Sequence, residues 1–240
     1  VAGFGARSLD GTNPKYLNTA ATPIFDKRAT VYGFHLAATS IREQNTVVVV
    51  EGYMDALAAH QFGYTNVVAS MGTALTEQQV SQLKSLARRF VLALDPDIAG
   101  QEATLRSLES SWRVLEHRAA DEVRRPTGML YKREPVTLNV AALPSGLDPD
   151  KLIREDSSEW ERLIAEAVPL MDFLIPAVAS RFDLSTGRGK TQVVEVLAPL
   201  IESAEFLDQD RYLDMLAKAL QVSKDAVKAS VGRSRSARGR

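Results

Sequence analysis

Glu51, Asp95 and Asp97 each stand where a short apolar run stops. Val47 to Val50 leads into Glu51, and Phe90 to Leu94 leads into Asp95-Pro96-Asp97. Runs of this length and apolarity predict strands buried on both faces, and an amphipathic helical pattern follows each. In an open α/β sheet, ligands bind in the crevice outside the carboxyl ends of the strands, where side chains distant in sequence converge. Three carboxylates brought together repel one another unless a cation joins them. Hard oxygen donors of this kind suit Mg²⁺, which keeps several waters and binds substrate phosphates in its remaining positions.

The elements that must position these groups follow in order along the chain. Residues 1–30 read as loop and short extended pieces, with Asp10-Gly11 and Asn13-Pro14 as turn signals. Within them Lys15-Tyr16-Leu17-Asn18 sets a cation, an aromatic face and an amide side by side, the combination that holds a phosphate backbone and stacks on bases. An exposed loop with ordinary surface charge is the plainer reading of the same residues. Apolar positions near 3.6 spacing predict a helix from Ala29 to Arg42. Gly52 allows a tight strand-to-helix turn, and Asp55 falls in the first turn of a helix to about Phe62, where a carboxylate also suits the helix dipole.

Residues 64–69 predict a second strand, and Thr76 a capped helix that runs to Arg89. A long helix is expected from about Ile98 to Ala120, a charged loop over 121–135 and a strand over 136–143. Asp148-Pro149-Asp150 then opens a helix, and Asp148 has the place of its N-cap with Pro149 at the first position. From Ser157 onward the pattern is helical, in segments 157–168, 169–182, 189–203 and 205–231, with Ser223 as a further start signal. Gly189-Lys190-Thr191 is not a P-loop, because Leu184 stands where the earlier glycine belongs and no strand precedes it. His60 and His117, with no His/Cys cluster around them, are expected to pack or face solvent.

Composition excludes several classes. An apolar share of 45% and a charged share of 25% over 240 residues are those of an ordinary soluble chain with ample core. There is no cysteine, hence neither a disulfide framework nor a cysteine-based zinc site in this chain. No apolar run approaches the roughly eighteen residues of a membrane span and no signal sequence opens the chain, so a cytoplasmic location is expected. The first residues, Val1 to Gly5, read as the end of a strand already under way, and we expect a piece of a longer protein. A net charge of −1 hides an uneven distribution: residues 1–30 are basic, and Arg233, Arg235, Arg238 and Arg240 crowd the carboxyl end. A nucleic-acid surface would therefore be a local patch beside an acidic site.

The strand-end glutamate followed by Asp-x-Asp resembles the TOPRIM domain of primases, topoisomerases and some nucleases. Glu51-Gly52-Tyr53-Met54-Asp55, Ala69 to Thr76 and Asp95 to Gly100, in that order, resemble the bacterial DnaG-type primases more closely, although Pro96 replaces a frequent glycine. The resemblance implies a mixed α/β TOPRIM sheet with flanking helices and a carboxyl-terminal all-helical subdomain. It divides the chain into a remnant of a basic amino-terminal subdomain with its connecting helix (1–45), a TOPRIM subdomain (46–156), helices (157–232) and a disordered basic tail (233–240). Glu51, Asp95 and Asp97 would be catalytic, and with Asp55, Asp148 and Asp150 would hold Mg²⁺, or Mn²⁺ in its place, with no zinc in this fragment. Arg7, Lys15, Tyr16, Asn18 and Lys27 would hold nucleotide or nucleic acid.

The activity so implied is template-directed joining of ribonucleoside triphosphates into RNA primers on single-stranded DNA. A replicative helicase and a zinc-binding module would be engaged through regions missing from this chain. A TOPRIM nuclease using the same carboxylates for hydrolysis, or a TOPRIM module that only binds nucleic acid, are the rival readings. No tyrosine-nucleophile domain supports a topoisomerase.

Overall fold

The computed structural model describes residues 1–8, 13, 16–72, 75–94, 108, 112, 136–204 and 206–238, with side chains as far as Ser234 in the last helix. A five-stranded sheet in the order β4-β3-β5-β6-β7 organises the molecule. Its members are β3 (Thr46–Val50), β4 (Val67–Ala69), β5 (Arg89–Leu94), β6 (Thr137–Ala142) and β7 (Val168–Pro169). The first four are parallel and β7 is antiparallel to β6, which makes the sheet mixed as expected. A separate antiparallel hairpin of β1 (Gly5–Arg7) and β2 (Tyr16–Asn18) precedes it.

The alternation of side chains along a strand explains why Val47 to Val50 can be apolar throughout. Val47 and Val49 enter a core with α1 (Phe34–Gln44) and α3 (Glu77–Lys84). Val48 and Val50 enter a second core with α2 (Tyr53–Gln61), α4 (Pro149–Glu155) and α5 (Ser157–Ala165), where Trp160 is fully buried. Burying each such side chain stabilises the sheet by about 1.5–3 kcal/mol before entropy is charged against it. Strand β3 is thus held on both faces, and the position of its carboxyl end is set with it.

The carboxyl-terminal helices are α6 (Leu170–Ala179), α7 (Gly187–Ser203), α8 (Phe206–Leu220) and α9 (Lys224–Arg238). They form the carboxyl-terminal helical part that the pattern from Ser157 predicts. Their buried faces share one continuous core with Val47, Val49, Phe90 and Leu92 of the sheet, and β7 lies between α5 and α6 as a strand of that sheet. Trp112, helical between β5 and β6, donates its indole N–H to Ser203 Oγ at 3.1 Å and further ties the two parts.

Other boundaries differ from expectation for local reasons. Helix α1 begins at Phe34 because Tyr32 is drawn into a bridge with Ala69 and Gly33 turns at φ 81°. Helix α3 stops at Lys84 because Arg89 is claimed by the ladder with Thr46 and Thr137. The single helix expected over 205–231 breaks at Gln221, whose φ is 52°, before Ser223 restarts it. Residues 233–238, expected as disordered tail, continue α9. No described helix is long and apolar enough to cross a membrane.

Candidate active site

Glu51 leaves β3 at its carboxyl end and is half-buried. Gly52 caps α2 with φ −98°, a conformation open to any residue, so the expected need for a special turn is not its reason. A Cβ there would lie 2.7 Å from Asp55 Oδ2. Glycine leaves room for the Asp55 carboxylate to fold back over it, and a larger residue would push that carboxylate aside.

Asp55 is met by the start of α4. The Asp150 N–H donates to Asp55 Oδ1 at 3.3 Å, so two helix amino termini meet at one carboxylate. Burial, with smaller contributions from the charges of Asp148 and Asp150, pushes the Asp55 carboxyl up to about 6, against hydrogen bonds from the Asp150 and Gly52 backbone. Asp148 caps α4 as its position predicts, accepting from the Lys151 N–H at 2.8 Å, and Asp150 pairs with Arg154. The structure therefore brings Asp55, Asp148 and Asp150 to one junction, with Asp55 four residues beyond Glu51. Among the described residues no three acidic or imidazole side chains close tightly enough to hold a metal ion. Asp95 and Asp97, which the sequence places at the end of neighbouring β5, lie outside the described residues, as do Lys15 and His117.

The basic side arrives through the hairpin. Thr19 and Phe4 exchange hydrogen bonds at its open end, and Arg7 lies over the Tyr16 ring with Cζ 5.5 Å from the centroid. Tyr16 in turn meets the ring of Tyr53 edge-on at 5.6 Å, and Tyr53 is the first residue of α2, two beyond Glu51. A Cβ on Gly5 would approach the same ring to 3.1 Å and Asn18 Oδ1 to 3.2 Å. Arg7, Tyr16 and Asn18 are thus set against the acidic turn by close packing. Lys27 is exposed on a turn whose carbonyls are held from α3: Gln79 reaches Lys27 and Thr30, and Gln82 reaches Ala29. His60 plays the packing role expected, with Nε2 2.8 Å from the Val67 carbonyl oxygen.

The comparisons with known proteins cover both the hairpin and the sheet. Residues 1–38 match the model described as DNA primase catalytic core, N-terminal domain, and residues 45–120 match the Toprim domain. Residues 171–225 match the DnaB-helicase binding domain of primase. A solved structure of the DnaG catalytic core is 30% identical with a TM-score of 0.72, covering 95% of this chain and 68% of that one. The chain belongs to the DnaG-type bacterial primases.

The DNA primase of Clostridium acetobutylicum is 33% identical over 228 residues, 95% of this chain. The chain spans about a third of the length of such curated relatives, 35% in that case. A structure of the DnaG primase catalytic domain bound to ssDNA is 31% identical, with a TM-score of 0.71 over 90% of this chain and 65% of that one. A Toprim domain within a primase core implies use of a divalent metal. One expectation is corrected: the helicase-binding match falls on α6, α7 and α8, inside the chain rather than in a missing region.

Tyr53, Tyr32, Gln79 and Arg154 were not singled out from sequence. Tyr53 stood within the acidic motif, and Gln79 at the third position after the Thr76 cap, where a capping box puts a glutamine. Tyr32 and Arg154 carried no local signal.

Proposed function

We propose that this chain is the RNA-polymerase core of a bacterial primase, joining ribonucleotides into short primers on a single-stranded DNA template. In this reaction a 3′ hydroxyl oxygen bonds to the α-phosphorus of the incoming triphosphate as its proton leaves. The bond from that phosphorus to the β-phosphate breaks and pyrophosphate departs. The observation that carries the reading is the packing of the Arg7/Tyr16/Asn18 hairpin against Tyr53, which sets cation, ring and amide beside a carboxylate-bearing strand end. A nuclease built on the same carboxylates has no need of that hairpin.

Glu51, Asp55, Asp95, Asp97, Asp148 and Asp150 would supply an all-oxygen donor set that suits Mg²⁺, with Mn²⁺ as a substitute. The raised Asp55 carboxyl fits such a site, because a cation would offset the charges that Asp55 meets from Asp148 and Asp150. A bound divalent cation would lower the pKa of the attacking hydroxyl and neutralise charge on the leaving pyrophosphate. Arg7, Lys15 and Lys27 would hold triphosphate or template, Tyr16 would stack on a base and Asn18 would hydrogen-bond it. Helices α6 to α8 would contribute to the replicative helicase contact. A zinc-binding module would act from outside these residues, and the whole would work in the bacterial cytoplasm.

The test is primer synthesis on single-stranded DNA with labelled ribonucleotides, comparing the native protein with its Asp95→Asn/Asp97→Asn variant. RNA products that require the metal and vanish in the variant support the proposal. Cutting of the template without RNA synthesis would move the assignment to a nuclease.

A further inference from the structure

Tyr53 occupies a junction of three parts of the molecule. Its ring meets Tyr16 of the hairpin edge-on at 5.6 Å and Tyr32 at 5.7 Å with the planes tilted by 46°. Tyr32 is itself fastened to the sheet, exchanging backbone hydrogen bonds of 2.9 and 3.0 Å with Ala69 at the end of β4. The third part is α2, which Tyr53 begins directly after the Glu51-Gly52 turn. The hairpin is small: its two strands are three residues each, and Gly5, Ala6, Tyr16 and Leu17 are exposed. A two-stranded hairpin is marginal on its own and needs a packing partner.

The Tyr53 hydroxyl sharpens the point. It is buried and, among the described residues, without a hydrogen-bond partner. A buried hydroxyl left unpaired stabilises nothing by itself. What the structure uses here is the ring, and the glycine at position 5 preserves its space, since a Cβ would press to 3.1 Å of it.

We infer that Tyr53 is a positioning residue that sets the nucleotide-holding hairpin in register with the acidic turn, acting through Tyr16 and, by way of Tyr16, through Arg7. The inference rests on the proposed primase reading for the role of the hairpin. The carboxylates do not depend on it: Glu51 is placed by β3, and Asp55, Asp148 and Asp150 by the meeting of α2 and α4. Removing the ring therefore separates the two halves of the site and leaves the acidic half assembled.

The experiment uses the full-length primase with Tyr53→Ala and Tyr53→Phe. In Tyr53→Ala the KM for ribonucleoside triphosphate rises about five- to tenfold, as expected from losing two ring pairs, with kcat within about twofold. Hydrogen exchange at the Thr19 amide, which donates to Phe4, accelerates, while the rise in melting temperature produced by Mg²⁺ is unchanged. Tyr53→Phe restores native KM and native exchange. Native KM in Tyr53→Ala would overturn the inference. A Tyr53→Phe variant as impaired as Tyr53→Ala would also overturn it, because the hydroxyl would then be the acting group. Loss of the Mg²⁺ effect in Tyr53→Ala would do the same, by showing that the acidic half is not independent. Native protein that makes no RNA in the same assay would instead reject the primase reading itself.

Discussion

The two sides of the crevice are built in opposite ways. On the acidic side, Glu51 ends a strand whose last four residues are each at most 4% exposed and belong to two cores at once. On the basic side, Arg7, Tyr16 and Asn18 sit on a hairpin of two three-residue strands, held to the sheet by tyrosine rings. Burial on both faces over-determines where Glu51 stands, whereas a few ring contacts of about 0.5–1.5 kcal/mol each leave the hairpin free to adjust. A metal site needs its donors fixed, and a site for a growing nucleic acid must give way at each step. The division of rigidity follows the division of chemistry.

The strongest challenge to this comparison is to remove one group from each side. Glu51→Gln keeps size and burial but removes a charge from the metal site, and primer synthesis should fall by at least about a hundredfold, chiefly in kcat. Tyr16→Ala should cost about tenfold through KM, the scale of one base stacked on a ring. Steady-state kinetics on both variants separates the cases. A kcat loss in Tyr16→Ala equal to that in Glu51→Gln would mean that the hairpin is as rigidly committed as the strand end.

A second variant tests a firm link on the basic side. Gln79 is 1% exposed, and its amide donates to the Thr30 carbonyl at 2.8 Å and the Ser70 carbonyl at 3.1 Å while accepting from the Thr76 N–H at 3.0 Å. It joins the Lys27 turn, the loop after β4 and the cap of α3. Gln79→Ala leaves those buried groups without their partner, and we expect a loss of about 3 kcal/mol. Thermal unfolding should show it as a drop of about 6–12 °C for a chain of this size. A drop below about 2 °C would mean that the Lys27 turn is held from elsewhere.

What could be read from the sequence follows the same division. The apolar runs before Glu51 and Asp95 revealed their strands because burial on both faces leaves an uninterrupted signal. The Asp148 cap with Pro149 was legible because helix starts are local. Strand β7 was not: its two residues, Val168 and Pro169, owe their conformation to β6, and Pro169 argues against a strand until the edge position is known. The role of Tyr53 was hidden for a related reason. Its partners Tyr16 and Tyr32 lie 37 and 21 positions away, and nothing local in the sequence marks the three as one cluster. The shared core of sheet and carboxyl-terminal helices was equally non-local, since an amphipathic helix does not say which face of which element it will cover.

Asp55 offers the finest test, because burial makes its charged form cost stability. Its carboxyl stands at about 6 in the folded protein against 3.8 ordinarily, with burial the first cause. Between these values the folded chain holds a proton that the unfolded chain has released. Stability from this group is therefore present in full below about pH 4 and is lost as pH rises through about 6, by an amount on the order of 3 kcal/mol. Asp55→Asn removes the ionisation, so the metal-free variant should melt a few degrees above the native protein at pH 7.5 and level with it near pH 4. Mg²⁺ should raise the melting temperature of the native protein more at pH 7.5 than at pH 5, where a proton competes for the carboxylate, and should raise that of the variant less. A metal-free variant that melts below the native protein at pH 7.5 would show that the hydrogen bonds from Asp150 and Gly52 outweigh burial. Asp55 would then be a group that the fold holds at no net cost.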